Sequence, residues 1–226
     1  DCSSRGLGDV YKRQKGNSRL DILNFVTLVH AFRKDIIKVE KNSDGKITFK
    51  LESLAKVNSF ASKNAHEAIA DVETTMTLFE LLKKKNQDFF QVFLDNSYPK
   101  KIEEKILREQ VFTLHNYMFN SHRIYLVKFF LKHPVYKNQF IGFDLKYDTF
   151  DLVNLEYEEL KEIFKTKSFF RKIKLNKQPS IIHKSYSRKL SPYSEFSDEE
   201  IKIKCNQLEN KQFLYNLNKI LENESI

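Results

Sequence analysis

The stretch Asn64-Ala65-His66-Glu67-Ala68-Ile69-Ala70-Asp71 opens a long helix, and the interpretation of the rest of the chain depends on it. Asn64 is a favourable N-cap, and Glu67 three residues later completes a capping box. The spacing of apolar residues predicts a helix over residues 65–85, whose terminal lysines suit the negative end of the helix dipole. The predicted buried stripe consists of Ile69, Val72, Met76, Phe79 and Leu82.

The same stretch carries a pair of side chains suited to metal-assisted hydrolysis of a phosphodiester. Asp71 can hold a divalent ion that lowers the pKa of a bound water, and His66 can take the proton as that water attacks phosphorus. Five residues of α-helix correspond to a rotation of about 140° beyond a full turn, so the side chains of His66 and Asp71 do not share one face of the helix. His66 therefore has to reach the metal site from the first turn. The spacing alone is a weak signal, because a histidine near a helix cap is more often a solvated surface residue.

Composition favours a polyanionic partner. The 226 residues include 39 basic and 30 acidic side chains, which gives a net charge of +9. No apolar run approaches the roughly 20 residues needed to span a bilayer, so we expect no membrane association. The two cysteines, Cys2 and Cys205, are far apart and form no disulfide framework. We therefore expect a cytoplasmic protein.

The first 14 residues are interpreted as a library or adaptor artefact. The run Asp9-Val10-Tyr11-Lys12-Arg13-Gln14 is what the transposon end used to prepare sequencing libraries encodes. A natural flexible N-terminus is the alternative. We exclude residues 1–14 from the interpretation of the fold and expect the native protein to begin upstream.

Three regions follow. Residues 15–85 are mainly helical, residues 86–196 are rich in β-branched and aromatic runs with a helix over 156–164, and residues 197–226 are again helical. The last region begins with the capping box Ser197-Asp198-Glu199-Glu200. The predicted strands are 111–118, 123–132, 139–145 and 169–175. The sequence therefore predicts an α+β multidomain protein.

Several local stretches resemble bacterial exonuclease I, and the resemblance as a whole covers about residues 16 to 226. They are Leu20 to Arg33, Thr48 to Lys56, Ser62 to His66, His133 to Asn138, Ile141 to Leu145, Leu155 to Phe164, and Asn176-Lys177-Gln178-Pro179. The resemblance implies the C-terminal part of a ribonuclease H-like α/β exonuclease domain (15–85), an SH3-like domain (86–196) and the start of a helical domain (197–226). It also implies a Mg²⁺-dependent 3′→5′ exonuclease of single-stranded DNA that acts in DNA repair, with His66 as general base and Asp71 as metal ligand.

The resemblance also implies that most of the metal site lies outside this chain. In the superfamily of nucleases to which exonuclease I belongs, four carboxylates hold two metal ions. Asp71 matches one of these carboxylates, and the motifs that supply the other three lie N-terminal to the residues of this chain. Asp21 matches a position that is not a ligand, and we interpret it as part of the first turn of a helix. Only Asp71 remains, so we expect the 226 residues to be inactive on their own.

Binding of single-stranded DNA calls for a basic groove with aromatic faces. Residues 165–189 contain nine lysines or arginines and no acid, with Phe169, Phe170 and Tyr186 interleaved. A solvated strand with lysine-protected edges is the alternative. The resemblance implies DNA contacts from Phe49, Lys50, Asn64, Lys100, Asn138, Arg171 and Asn176. Lys101 is the alternative to Lys100 as a DNA contact. For Phe49, the alternative to a DNA contact is an ordinary position in the hydrophobic core.

Other functions share parts of this pattern. A related exoribonuclease or a polymerase proofreading subunit has the His-to-Asp motif but lacks the SH3-like region. A single-strand binder that has lost its nuclease is the non-enzymatic alternative. The resemblance further implies an interaction with single-strand DNA-binding protein, whose acidic tail suits a basic surface, and we expect a monomer.

Overall fold

The computed structural model describes residues 20–60 and 68–224, and its fold is α+β, as predicted. The chain divides into two compact units, one ending at Tyr98 and the other beginning at Pro99. None of the helices within the described residues is long and apolar enough to cross a membrane. The three predicted domain ranges remain a prediction.

The first unit consists mostly of helices. Its elements are α1 (Ile22–Phe32), the antiparallel pair β1 (Glu40–Lys41) and β2 (Ile47–Thr48), α2 (Leu51–Val57), α3 (Ala68–Lys85) and α4 (Gln87–Asp95). Asp21 caps α1, because its Oδ1 accepts a hydrogen bond of 3.0 Å from the backbone N–H of Leu23. Asp21 was predicted in the first turn of this helix, and the structure has it one position earlier, as the N-cap. Helix α4 packs in the first unit, where Phe93 stacks on Phe25 with ring centroids 4.7 Å apart.

Helix α3 buries a different face from the one predicted. Ile69, Val72 and Met76 are 73%, 58% and 62% exposed. The buried side chains are instead those spaced four residues apart, namely Ala70, Thr74, Leu78 and Leu82. Apolar side chains lie on two sides of this helix, and periodicity cannot tell which side the neighbouring helices cover. The predicted stripe is therefore wrong at its first three positions.

The second unit is built on a five-stranded antiparallel sheet in the order β6-β5-β4-β3-β7. Its strands are β3 (Val111–Met118), β4 (Ser121–Lys132), β5 (Gln139–Asp144), β6 (Phe170–Lys174) and β7 (Ser180–His183). Its helices are α5 (Pro99–Glu109), α6 (Phe150–Val153), α7 (Tyr157–Thr166), α8 (Asp198–Gln207) and α9 (Lys211–Asn223). Four strands were predicted within a few residues. The prediction missed the short strand β7, which follows Pro179 directly.

Two hydrophobic clusters cover the two faces of this sheet. On one face, α5 contributes Ile102 and Ile106 to a core with Phe112 and Phe140. On the other, α7, α8 and α9 pack over Ile141 and Phe143. Gly142 lies between these two residues, and a Cβ built on it would come within 2.3 Å of the Val127 side chain. The close contact between β5 and β4 therefore needs glycine at this position.

Candidate nucleic-acid interface

Asp71 is the one predicted catalytic-motif residue that the structure describes. It lies in the first turn of α3 with its side chain exposed to solvent. His66 and Asn64 lie outside the described residues. No group of three or more His, Cys, Asp or Glu side chains that could hold a metal ion occurs within 20–60 and 68–224. Asp71 can supply one ligand, and the described part of the chain does not assemble a two-ion site.

Phe49 and Lys50 lie between β2 and α2. Phe49 is half-buried, and its ring meets the buried His30 ring edge-on with centroids 5.3 Å apart. Burial, with a smaller effect from Lys34, lowers the pKa of His30 and favours its neutral form. Lys50 is exposed at the N-cap of α2. Phe49 thus combines a core contact with partial exposure, and its stacking on a base remains a prediction.

Asn138 and Asn176 lie on the same cavity, although 37 residues of sequence separate the two stretches that carry them. The backbone explains this, because the N–H of Leu175 donates to the Asn138 carbonyl oxygen at 2.9 Å. The cavity has a volume of about 510 Å³. It is lined by Val135, Tyr136, Lys137, Asn138, Gln139, Lys174 and Asn176. The lining carries two cations and three amides and no carboxylate.

Sequence reasoning missed Tyr136, Lys137 and Lys174 as members of this site. Tyr136 and Lys137 directly follow the His133-Pro134 turn, and Lys174 ends strand β6, which pairs with β5 at Gln139. All three are exposed. The signal that could have found them is their position beside the two predicted asparagines. Lys100 is exposed in the first turn of α5 but is not part of the cavity lining.

Arg171 makes contacts inside the protein. Its Nη2 donates to Oδ2 of the buried Asp144 at 2.8 Å, and its guanidinium lies 3.7 Å from the centroid of the Tyr125 ring. The hydroxyl of Tyr193 donates to the other oxygen of Asp144 at 2.7 Å. Burial and this carboxylate raise the pKa of Tyr193 well above its ordinary value. A DNA contact from Arg171 stays a prediction, because its guanidinium lies against Asp144 and Tyr125 and its side chain is only 16% exposed.

The aromatic rings in the acid-free stretch 165–189 are partly used in the core. Phe170 is buried and Phe169 is half-buried against the same core. The DNA-facing role of the stretch stays a prediction. Lys172 pairs with Glu224 at 2.7 Å. Acidic residues from other parts of the chain therefore neutralise some of these cations.

A second cavity of about 390 Å³ lies on the same unit, beside strand β3 and helix α8. Apolar and sulfur-bearing residues form part of its lining: Val111, Leu126, Ile201 and Cys205. Lys184, Arg188 and Lys202 supply positive charge, and Asp198 is also present. Arg188 donates to the Asp198 carboxylate at 3.2 Å and also to the carbonyl oxygen of Tyr193.

Comparison with known proteins shows similarity to one group of nucleases. Exodeoxyribonuclease I of Haemophilus influenzae is 34% identical over 165 residues, which is 70% of this chain and 34% of the relative. A solved exonuclease I of Methylocaldum szegediense is 22% identical, covers 93% of this chain and 49% of its own, and has a TM-score of 0.72. No protein-family model matches the chain.

Two further solved structures contain bound molecules. Escherichia coli exonuclease I in complex with a dA16 oligonucleotide has a TM-score of 0.69 and 24% identity, over 91% of this chain and 47% of that one. An ExoI/SSB-Ct complex has a TM-score of 0.68 and 22% identity, over 93% of this chain and 48% of that one.

Sequence and fold together define the class of protein: the chain is a homologue of DNA exonucleases. In particular, it is homologous to exodeoxyribonuclease I, which confirms the resemblance seen in its sequence. The chain spans about a third of the length of the Haemophilus influenzae relative and about half of the solved chains.

Proposed function

We propose that the chain is part of a 3′→5′ exonuclease that degrades single-stranded DNA in DNA repair, and that its second unit holds the strand. The observation that carries this proposal is the cavity that brings Asn138 and Asn176 together with Lys137 and Lys174. Lys137 and Lys174 can bind the phosphates of a DNA strand. Phosphate contacts supply much of the affinity when a protein binds nucleic acid. Homology to exodeoxyribonuclease I supplies the reaction.

The amide side chains add hydrogen-bonding capacity to this cavity. Asn138 and Asn176 are both exposed, and each offers a donor and an acceptor group. They can therefore bond either to phosphate oxygens or to the edge of a base. Because the backbone hydrogen bond from Leu175 to Asn138 fixes the two segments together, the two amides lie on one surface before DNA arrives.

For the reaction itself we propose Mg²⁺, with Asp71 as one of its ligands and His66 as general base. When bound, the ion would supply a water of lowered pKa for attack on phosphorus. The exposure of Asp71 at the start of α3 fits a ligand role. One carboxylate does not position two ions about 4 Å apart. We therefore expect the 226 residues to bind DNA without cutting it.

We also propose that the acidic tail of single-strand DNA-binding protein docks on the second unit. The cavity that contains Lys184, Arg188 and Lys202 has the matching chemistry, because it combines positive charge with an apolar lining. A peptide that ends in an apolar residue and a carboxylate would satisfy both features. We further propose that the protein is cytoplasmic and monomeric.

The proposal is tested by binding and cleavage assays on the same 226-residue protein. Fluorescence anisotropy with a labelled single-stranded oligonucleotide should show binding that weakens steeply as salt rises. Replacement of both Lys137 and Lys174 by alanine should reduce the salt slope. A 3′-labelled strand incubated with Mg²⁺ should stay intact. Binding that does not depend on salt would contradict the role of the basic cavity. Efficient cleavage would contradict the proposal that the other metal ligands are not among these 226 residues.

A further inference from the structure

Tyr136 presents an aromatic ring to the cavity that Asn138 and Asn176 line. Tyr136 is 51% exposed. That inner contact is with His133, whose ring centroid lies 4.6 Å from that of Tyr136 with 50° between the ring planes. Tyr136 therefore has a supported inner side and a solvent-exposed outer side.

The backbone holds Tyr136 in this position from two directions. Its N–H donates to Nδ1 of His133 at 3.2 Å, and the N–H of Val135 donates to the same atom at 3.2 Å. Its carbonyl oxygen accepts from the N–H of Gln139 at 2.9 Å. His133 is itself only 3% exposed, so the support below the ring is part of the interior. The ring is thus largely preorganised, and binding would cost little additional ordering.

The charges around the ring match the groups that flank a base. Lys137 follows Tyr136 directly, and Lys174 lies on the same cavity from strand β6. Within the described residues neither lysine forms an ion pair, and no carboxylate lines the cavity. A volume of about 510 Å³ lies in the ordinary range for a small-ligand site. An aromatic face between two cations is the arrangement that single-stranded nucleic acids bind without strong sequence preference.

We propose that Tyr136 is a base-stacking residue, and that this cavity takes one nucleotide of single-stranded DNA with its base on Tyr136 and the neighbouring phosphates on Lys137 and Lys174. This inference rests on the proposed function and deepens it, because it names the side chain on which the base stacks. It also explains why a surface turn presents a tyrosine whose ring is fixed from below.

The test compares Tyr136→Ala with Tyr136→Phe and with a matched control, Tyr215→Ala. Tyr215 is 55% exposed on α9 and does not line the cavity. Each protein is titrated with a labelled single-stranded oligonucleotide and with an abasic strand of the same length. Tyr136→Ala should weaken binding of the normal strand by roughly 5- to 150-fold, the range for one stacked base. The salt slope should stay unchanged, since no phosphate contact is lost.

Tyr136→Phe and Tyr215→Ala should bind like the unmodified chain, and the abasic strand should not distinguish any of the variants. Equal weakening of normal and abasic strands by Tyr136→Ala would overturn the proposal, as would normal binding by that variant. If Tyr136→Ala does not fold, Tyr136→Leu replaces it, because leucine can still cover His133 but offers no aromatic face. Failure of the proposed function has a different signature: the unmodified chain would then bind neither strand.

Discussion

Oδ2 of Asp144 accepts a hydrogen bond of 2.8 Å from Nη2 of Arg171, and the Asp144 side chain is completely buried. The guanidinium also lies against the ring of Tyr125, and Tyr193 bonds to the other carboxylate oxygen. The pair joins β5 to β6, the strand next to it in the sheet. Arg171 therefore has a structural role whether or not it contacts DNA.

Replacement of Arg171 by alanine should destabilise the fold. The substitution leaves the buried Asp144 carboxylate with Lys146 as its remaining cation, whose Nζ lies 3.7 Å from Oδ2. Breaking a buried pair in this way costs up to about 3–5 kcal/mol. Urea denaturation should show this loss in the free energy of unfolding. Lys172→Ala is the matched control, since the pair between Lys172 and Glu224 is solvent-accessible and should contribute less than about 1 kcal/mol. Unchanged stability of Arg171→Ala, together with lost DNA binding, would instead make Arg171 a pure DNA contact.

The free energy of unfolding should decrease as pH falls below neutral, because His115 on β3 is buried beside the half-buried His122 of β4. Burial and, to a lesser extent, the neighbouring His122 lower the pKa of His115 from 6.5 to about 3. Between these two pKa values His115 is protonated in the unfolded chain and neutral in the folded chain. The free energy of unfolding therefore decreases as pH falls from about 6.5 towards 3. One group contributes at most about 1.4 kcal/mol per pH unit.

Denaturant curves measured from pH 7.5 down to 4.5 check this expectation. His115→Gln cannot take up the proton, so its stability should depend less steeply on pH than that of the unmodified chain. The two proteins are compared by slope, because the substitution also changes packing around a side chain that is 2% exposed. Parallel slopes would show that His115 is not the group responsible.

The two faces of α3 should respond differently to the same kind of substitution. Leu78 is 1% exposed, and Leu78→Ala should cost about 2–5 kcal/mol through lost burial and the cavity left behind. Met76 is 62% exposed on the same helix, and Met76→Ala should change stability by less than about 0.5 kcal/mol. Thermal and urea denaturation of the 226-residue protein provide the measurement. A large loss for Met76→Ala would mean that this face is covered in solution.

The sequence predicted the sheet better than the faces of the helices. Strand β3 was predicted with the limits that the structure gives it, because β-branched and aromatic residues are concentrated there. The capping box at Ser197 formed as predicted, since it depends on side chains three residues apart. The buried side of α3 was not predictable, because it depends on which neighbours cover a helix with apolar residues on both sides.

The candidate site was partly predictable for a similar reason. The resemblance to exonuclease I selected Asn138 and Asn176, which the fold brings to one cavity. It could not select Tyr136, whose importance comes from its packing on His133 and not from its residue type. The charge run over 165–189 could not show that Lys172 pairs with Glu224, because this partner comes from distant sequence.

In an intact enzyme that contains both motif residues, substitution of Asp71 and substitution of His66 should reduce the rate of cleavage in different ways. Asp71→Asn should weaken metal binding, so that raising the Mg²⁺ concentration restores part of the rate. His66→Ala should leave the dependence on Mg²⁺ unchanged and lower turnover by a factor on the order of 10² to 10⁴, the usual effect of losing a general base. Single-turnover cleavage of a 3′-labelled strand across a Mg²⁺ series separates the two cases. Asp88→Asn, a change to another exposed carboxylate of the first unit, serves as the control and should cleave normally. Identical Mg²⁺ profiles for the two motif variants would show that His66 and Asp71 do not have the separate roles proposed for them.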